Sequence, residues 1–259
     1  MERVNFLLES VTPKVVGSFG SAADLKNACF ASVRDACDIV EIRLDLLAAE
    51  GVQITPALWR QLGEIPLLFT ARRTEEGGAL PLPAAARIAL IRSGLDEATW
   101  VDIEVASIGE MGGLLAELAE RKIPWIASYH DFEKLPNGAV LREAAGLAKT
   151  AGATMFKLAA RLTSPADVAR LAEFQLADHG LPVSTMGMGA LAPVSRLLCA
   201  QCGSIFNYGY LGNTATAPGQ WDGFLLKTAI ARLANFRADT PQPITSTGAS
   251  GSALRNAWP

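Results

Sequence analysis

From Pro13 onward the chain repeats one pattern: a short apolar run, a turn, then an amphipathic stretch. The apolar runs fall at 15–19, 39–44, 67–70, 100–105, 125–129, 154–159, 182–186 and 204–208, and each reads as a strand. Between them the pattern predicts helices, among them 22–36, 84–93, 108–121, 140–150, 165–176 and 221–236. Pro56 and Pro165 stand where helices begin, and Asp24, Ser107 and Ser164 suit helix N-caps. Eight strand–helix units over roughly 250 residues are the count and size of an α/β TIM (β/α)8 barrel. A doubly wound sheet shares the alternation, and counting units does not reveal whether the sheet closes. One barrel domain is expected over 1–238. The segment 239–259, rich in Pro, Ser, Thr and Gly, reads as a loose C-terminal extension.

Composition narrows the function classes. Of 259 residues, 50% are hydrophobic and 19% charged, with no uncharged stretch long enough to cross a bilayer. The start, Met1-Glu2-Arg3-Val4-Asn5, lacks a cleavable signal, because Glu9 ends the apolar run Phe6-Leu7-Leu8. A net charge of −3 gives no general field for nucleic acid or an anionic membrane. A cytoplasmic protein is expected. Cys199-Ala-Gln-Cys202 has metal-knuckle spacing, but Cys29, Cys37, His130 and His179 do not complete a zinc set. All four cysteines read as reduced thiols, and no metal site is expected.

In a barrel, chemistry gathers at the C-terminal ends of the strands. Strand two carries Glu41, Arg43 and Asp45 with one parity. Strand three runs into Arg72-Arg73, then Thr74-Glu75-Glu76-Gly77-Gly78; strand four carries Asp102 and Glu104. Strand five ends at Ser128-Tyr129-His130-Asp131, and the loop after strand seven leads to Ser195-Arg196. Strand six holds Lys157 inside Met155-Phe156-Lys157-Leu158-Ala159-Ala160, where an ammonium is costly unless paired or neutral. Such a lysine either sends its head to solvent or, desolvated, offers a nucleophilic amine for a Schiff base. Glu41–Arg43 could equally be a buried ion pair that serves packing alone.

Gly187-Met188-Gly189-Ala190-Leu191-Ala192 matches the dinucleotide pattern, yet the next acidic residue is Asp222, too far on to hold a ribose. A Gly-rich turn opening a helix suits a substrate carboxylate better.

Together these stretches resemble type I 3-dehydroquinate dehydratase, the Schiff-base enzyme of the shikimate pathway. The matching segments are Val40-Glu41-Ile42-Arg43-Leu44-Asp45, Leu68-Phe69-Thr70-Ala71-Arg72 with Glu76-Gly77-Gly78, Ser128-Tyr129-His130-Asp131-Phe132, Phe156-Lys157-Leu158-Ala159, Met186-Gly187-Met188 leading to Ser195-Arg196, and Thr216-Ala217-Pro218-Gly219-Gln220. They follow family order across nearly the whole chain up to Phe236. The resemblance implies a TIM barrel, no metal, no cofactor and a homodimer. It assigns Lys157 to the imine, His130 to general acid/base work and Glu76 to partnering that histidine. Glu41, Arg43 and Arg72 match residues holding the substrate's hydroxyls and carboxylate, and Arg196 matches the principal carboxylate clamp. Thr216 and Gln220 match contacts on a closing loop, and Ser18 a minor contact. Thr216 stands where the family often has serine, and Ala192-Pro193 replaces a turn that often contains glycine.

The chemistry agrees with the residues. An iminium on Lys157 withdraws electrons better than a ketone, so a proton on the neighbouring carbon can pass to His130, which titrates near neutrality. The segment 209–220 is small and flexible enough to close as a lid. Two other readings share the barrel: a class I aldolase or transaldolase, and a non-catalytic binder of a small polyol carboxylate. The first would need phosphate ligands, and Arg196 is the only Lys or Arg between Arg170 and Lys227.

Overall fold

The structure, a computed structural model, describes residues 13–237. Eight parallel strands alternate with helices: β1 (Lys14–Phe19), β2 (Ile39–Arg43), β3 (Leu67–Thr70), β4 (Trp100–Glu104), β5 (Trp125–Asp131), β6 (Met155–Arg161), β7 (Val183–Met188) and β8 (Phe206–Leu211). Among the described residues the α-helices are α1 (Ala22–Lys26), α2 (Phe30–Ala36), α3 (Leu44–Ala49), α4 (Ala84–Gly94), α5 (Gly112–Arg121), α6 (Gly138–Thr150), α7 (Pro165–Leu176), α8 (Ala192–Gln201) and α9 (Gly223–Arg237). None of the helices in this span is long and apolar enough to cross a membrane. The extension expected from Asp239 lies outside the described residues.

Closure is decided at β8, which pairs in parallel with β1 from Lys14↔Phe206 to Phe19↔Leu211. The β7–β8 seam has no regular ladder. It is stitched by the Phe206 amide donating to Ser184 Oγ at 2.8 Å, the Thr185 amide to Ser204 Oγ at 3.2 Å and the Ile205 amide to the Val183 carbonyl at 3.3 Å. The sheet is therefore a nearly closed (β/α)8 barrel, not an open doubly wound sheet.

The period of two along each strand sorts the barrel interior into layers. The lowest is apolar: Val16, Ile39, Leu68, Trp100, Ile126, Met155 and Phe206 are buried in one cluster, with Trp100 meeting Phe206 edge-on at 5.2 Å between ring centroids. Two residues further along the same strands the character changes to Ser18, Glu41, Thr70, Asp102, Ser128, Lys157 and Tyr208, all buried. The next inward positions are Arg43, Arg72, Glu104 and His130. Outward-facing residues such as Val40, Phe69, Ile103 and Phe156 join the helices in a separate core. An apolar floor beneath polar upper layers places the chemistry at the C-terminal rim.

Several local expectations needed correction. The 22–36 helix is two helices, because Asn27 caps the end of α1 and Cys29 is extended before α2. The cap of α1 is Ser21, whose hydroxyl accepts from the Asp24 amide, while the Asp24 carboxylate accepts from Asn213 in the loop after β8. Ser107 is buried in a 3-10 turn where it binds Glu104 and Arg87, and α5 starts only at Gly112. Pro56 opens a 3-10 turn (Pro56–Leu58) rather than an α-helix. Ser164 caps α7 in a reciprocal capping box with Asp167. Asp45 lies in the first turn of α3, outside the strand parity that grouped it with Arg43. All four cysteines are free, and burial pushes the thiols of Cys37 and Cys199 up to about 12 and about 11.

Candidate active site

One cavity opens at the C-terminal rim, about 480 Å³ including its mouth. All ten residues singled out from sequence line it: Ser18, Glu41, Arg43, Arg72, Glu76, His130, Lys157, Arg196, Thr216 and Gln220.

Lys157 sits in the middle layer of β6 and is 4% exposed, so its head does not reach solvent. Its Nζ donates to Asp102 Oδ2 at 3.0 Å and lies 3.9 Å from the centre of the Tyr208 ring. Burial lowers the lysine pKa, and Asp102 opposes that shift. Ser128 Oγ (2.6 Å) and Arg72 Nη1 (2.9 Å) both meet Asp102 Oδ1. Arg72 Nη1 also reaches Glu104 Oε1 at 3.0 Å, and Glu104 Oε2 accepts from Arg87 at 2.8 Å. Burial acts to lower the Arg72 pKa, but Asp102 and Glu104 keep it well above its ordinary value. Its neighbour Arg73 is the solvent-facing arginine, paired with exposed Glu75.

His130 lies within the β5 ladder opposite Ala159, one inward position above the Ser128↔Lys157 pair. It belongs to the end of strand five, where the sequence placed it. Glu76 Oε2 is 2.9 Å from His130 Nδ1 and accepts from the His130 amide at 2.9 Å. Burial, with Arg72 and Lys157 nearby, holds the imidazole well below its usual pKa. Burial pushes the Glu76 carboxyl up to about 7, although Arg72 pulls the other way. The imidazole is thus neutral at neutral pH. With Nδ1 engaged by Glu76, Nε2 remains as the nitrogen that can take a proton.

The loop carrying Glu76 is fixed from below. Gly77 has φ +89°, and a Cβ there would approach the Phe132 ring to 2.6 Å, so glycine alone fits. Asp45 binds Arg43 through both oxygens at 2.9 and 2.7 Å and accepts from the amides of Arg72 and Ala79, each at 3.2 Å. Arg43 also donates to the Gly77 carbonyl at 3.1 Å. Glu41 makes no ion pair with Arg43; it accepts from Ser18 at 2.5 Å and Thr70 at 2.9 Å.

Arg196, on α8, is 2% exposed and donates to the Tyr208 carbonyl at 2.7 Å, yet among the described residues no carboxylate pairs with it and its Nε has no hydrogen-bond partner. Burial lowers its pKa to about 10. An unmatched buried guanidinium is costly and suits an incoming anion. Thr216 and Gln220 belong to a loop closed over this corner: Gln220 Oε1 accepts from the Thr216 amide and hydroxyl, both at 2.9 Å. The Gly189 amide donates to the Pro218 carbonyl at 3.1 Å, so the Gly-rich turn that sequence assigned to a carboxylate holds the lid instead. Gly219, at φ +74°, lies too close to the Gly189 carbonyl for any side chain.

Asp45, Ser128 and Tyr208 went unassigned in sequence, and Asp102 and Glu104 were noted only as rim charges. Parity along β4 marks the last two; a tyrosine in an apolar strand carries no such signal. Among the described residues no group of three His, Cys, Asp or Glu side chains is placed to hold a metal ion.

A nearly closed parallel barrel with its ionisable residues gathered in one rim cavity has the form of a TIM-barrel enzyme. The family model for type I 3-dehydroquinase matches residues 19–233. The 3-dehydroquinate dehydratase of Methanocella arvoryzae is 32% identical over 208 residues, covering 80% of this chain and 91% of that protein. That of Methanothrix thermoacetophila is 32% identical over 222 residues, covering 86% and 92%. The crystal structure of 3-dehydroquinate dehydratase from Geobacillus kaustophilus matches with a TM-score of 0.75 at 27% identity, over 86% of this chain and 92% of that one. The chain belongs to the type I 3-dehydroquinase family, whose members named here are 3-dehydroquinate dehydratases.

Proposed function

We propose that this enzyme converts 3-dehydroquinate to 3-dehydroshikimate through an imine on Lys157, within the shikimate pathway. The observation that carries the reading is the stacking of a neutral, Glu76-bound His130 one layer above a buried Lys157 in a single cavity. The lysine ammonium and the substrate ketone give an iminium and one water. The iminium draws electrons from the neighbouring carbon, whose proton passes to His130 Nε2. Glu76 stabilises the imidazolium, which then returns that proton to the departing hydroxyl as water. Hydrolysis of the iminium restores Lys157 and frees the product. Arg196 takes the substrate carboxylate, while Glu41, Arg43 and Arg72, with Ser18, Thr216 and Gln220, surround the remaining polar groups. We place the enzyme in the cytoplasm on its composition, and on family resemblance alone as a homodimer working without metal or cofactor. Sedimentation of the purified chain tests the dimer. An aldolase acting on a phosphorylated substrate fits less well, since Arg196 is the single Lys or Arg in the segments after β7 and β8 that lines the cavity.

Borohydride trapping with 3-dehydroquinate, read by intact mass and peptide mapping, tests the reading. The expected result is a ligand-sized adduct on Lys157 that is absent in Lys157→Ala. That variant should stay folded while losing at least about 10⁴-fold in turnover. A folded enzyme with no adduct at Lys157 would point to a binder or to a different ketone.

A further inference from the structure

We propose that Asp102 is the standing counter-ion of the Lys157 nitrogen, aiming the amine into the cavity and holding the cationic imine without taking a proton itself. The inference rests on the imine reading above. Its basis is geometric. Asp102 is 2% exposed and lies on β4, two strands away from Lys157 across the barrel wall. One oxygen, Oδ2, receives Lys157 Nζ at 3.0 Å; the other meets Ser128 at 2.6 Å and Arg72 at 2.9 Å. Arg72 is itself held by Glu104, and Glu104 by Arg87 and Ser107. The carboxylate is therefore anchored by a chain of partners that does not depend on the lysine. The Tyr208 ring covers a further side of Nζ at 3.9 Å. With a carboxylate and a ring face flanking the nitrogen, the approach left to a ketone is from the cavity.

The reaction makes use of such an anion. Nitrogen is positive in the resting ammonium and positive again in the iminium; it is neutral in the free amine, in the carbinolamine between them, and in the enamine left while the neighbouring carbon's proton sits on His130. A fixed negative charge at hydrogen-bond distance stabilises both cationic states in a site where burial disfavours charge. Burial alone would raise the Asp102 carboxyl, but Arg72 and Lys157 hold it far below the usual carboxylate range. Asp102 is accordingly no base. The proton that Lys157 sheds before attack passes to neutral His130, one layer above, and returns to the carbinolamine hydroxyl as it leaves in water. Summed over these steps, ammonium plus ketone gives iminium plus water, and Asp102 stays ionised throughout.

Asp102→Asn keeps the shape and removes the charge. In the variant the acid limb of the trapping rate against pH should move down by about one unit or more, because a cation without its counter-ion deprotonates more easily. We expect kcat to fall by about 100-fold or more with KM changed by less than about threefold. Asp102→Glu, which restores an anion, should bring the limb back toward that of the unaltered enzyme. A limb unmoved in folded Asp102→Asn would overturn the proposal and reduce the residue to a packing role. Should the variants not fold, isotope-edited infrared spectra of unaltered enzyme labelled with ¹³C-aspartate decide it. No labelled carboxylic-acid band should arise as the imine forms, and one that did would refute the counter-ion. Absence of any Lys157 adduct in the unaltered enzyme would instead sink the imine reading itself, so the two failures are distinguishable.

Discussion

The two sides of the cavity are built on opposite electrostatic plans. On the side formed by β2 to β6, the buried basic groups each meet a carboxylate: Arg43 with Asp45, Arg72 with Asp102 and Glu104, Lys157 with Asp102, His130 with Glu76. On the side formed by β7, β8 and the lid, Arg196 is as deeply buried but among the described residues meets only a carbonyl, and its Nε meets nothing. The paired side has its partners in place before substrate arrives, which is what positioning of reacting groups demands. The unpaired side holds desolvated positive charge that an anion can relieve. Chemistry sits on the first and recognition on the second, and substitutions should separate them.

After Lys157 itself, the largest effect is expected at His130. His130→Ala should lower kcat by about 10²–10⁴-fold, the usual share of a general acid/base, while the Lys157 adduct still forms with 3-dehydroquinate. In the unaltered enzyme kcat should rise as pH passes about 7, where Glu76 loses its proton and can stabilise an imidazolium. A His130→Ala enzyme with nearly full turnover would remove the paired side from the chemistry altogether.

Next comes a contrast in stability between two arginines of similar burial. Arg72→Leu leaves Asp102 with only Lys157 and Glu104 with only Arg87 as cationic partner, and should cost about 3 kcal/mol. Arg196→Leu removes a charge that no carboxylate balances and should gain about 1–2 kcal/mol, after allowing for the orphaned Tyr208 carbonyl. For a domain of this size that gain is a rise of roughly 2–8 °C in the melting midpoint. The same Arg196→Leu should raise KM by about 10- to 100-fold, from loss of one charge-assisted contact. Equal destabilisation by both substitutions would mean that Arg196 has a structural partner and that the two sides are alike.

Much of this division could be read from the chain itself. Lys157 and His130 stood out because each is ionisable within an apolar strand, and Arg196 because it is alone after strand seven. The eight-fold alternation revealed the strands, since each apolar run is short and bounded by turns. Closure was not legible, because it rests on Lys14 meeting Phe206 and on hydroxyls of Ser184 and Ser204 that no period announces. Nor were the partners of the charges: Asp102 and Lys157 are 55 residues apart in sequence, and only the barrel brings them within 3.0 Å. Asp45 was grouped with Arg43 for the wrong reason. Strand parity placed it there, whereas the first turn of α3 folds it back onto the guanidinium.

The smallest effect, and the one that probes the recognition side most gently, is at the lid. Gln220 Oε1 clasps the amide and hydroxyl of Thr216, and Gly189 ties Pro218 down to the start of α8, so the cavity end of the loop is held by neutral hydrogen bonds while Asn213 binds Asp24 at its other end. Gln220→Ala removes the clasp inside the loop and leaves its tie to Gly189. Each neutral bond contributes about 1 kcal/mol net, so KM should rise about 5- to 30-fold with kcat within about threefold and the melting midpoint lower by at most about 2–8 °C. Because Gln220 and Arg196 would both act on the substrate-bound, lid-closed state, their KM effects should combine to less than their product in the double variant. Strictly multiplicative effects would separate lid closure from carboxylate capture. A fall in kcat matching the rise in KM would instead tie the lid to the chemistry of the paired side.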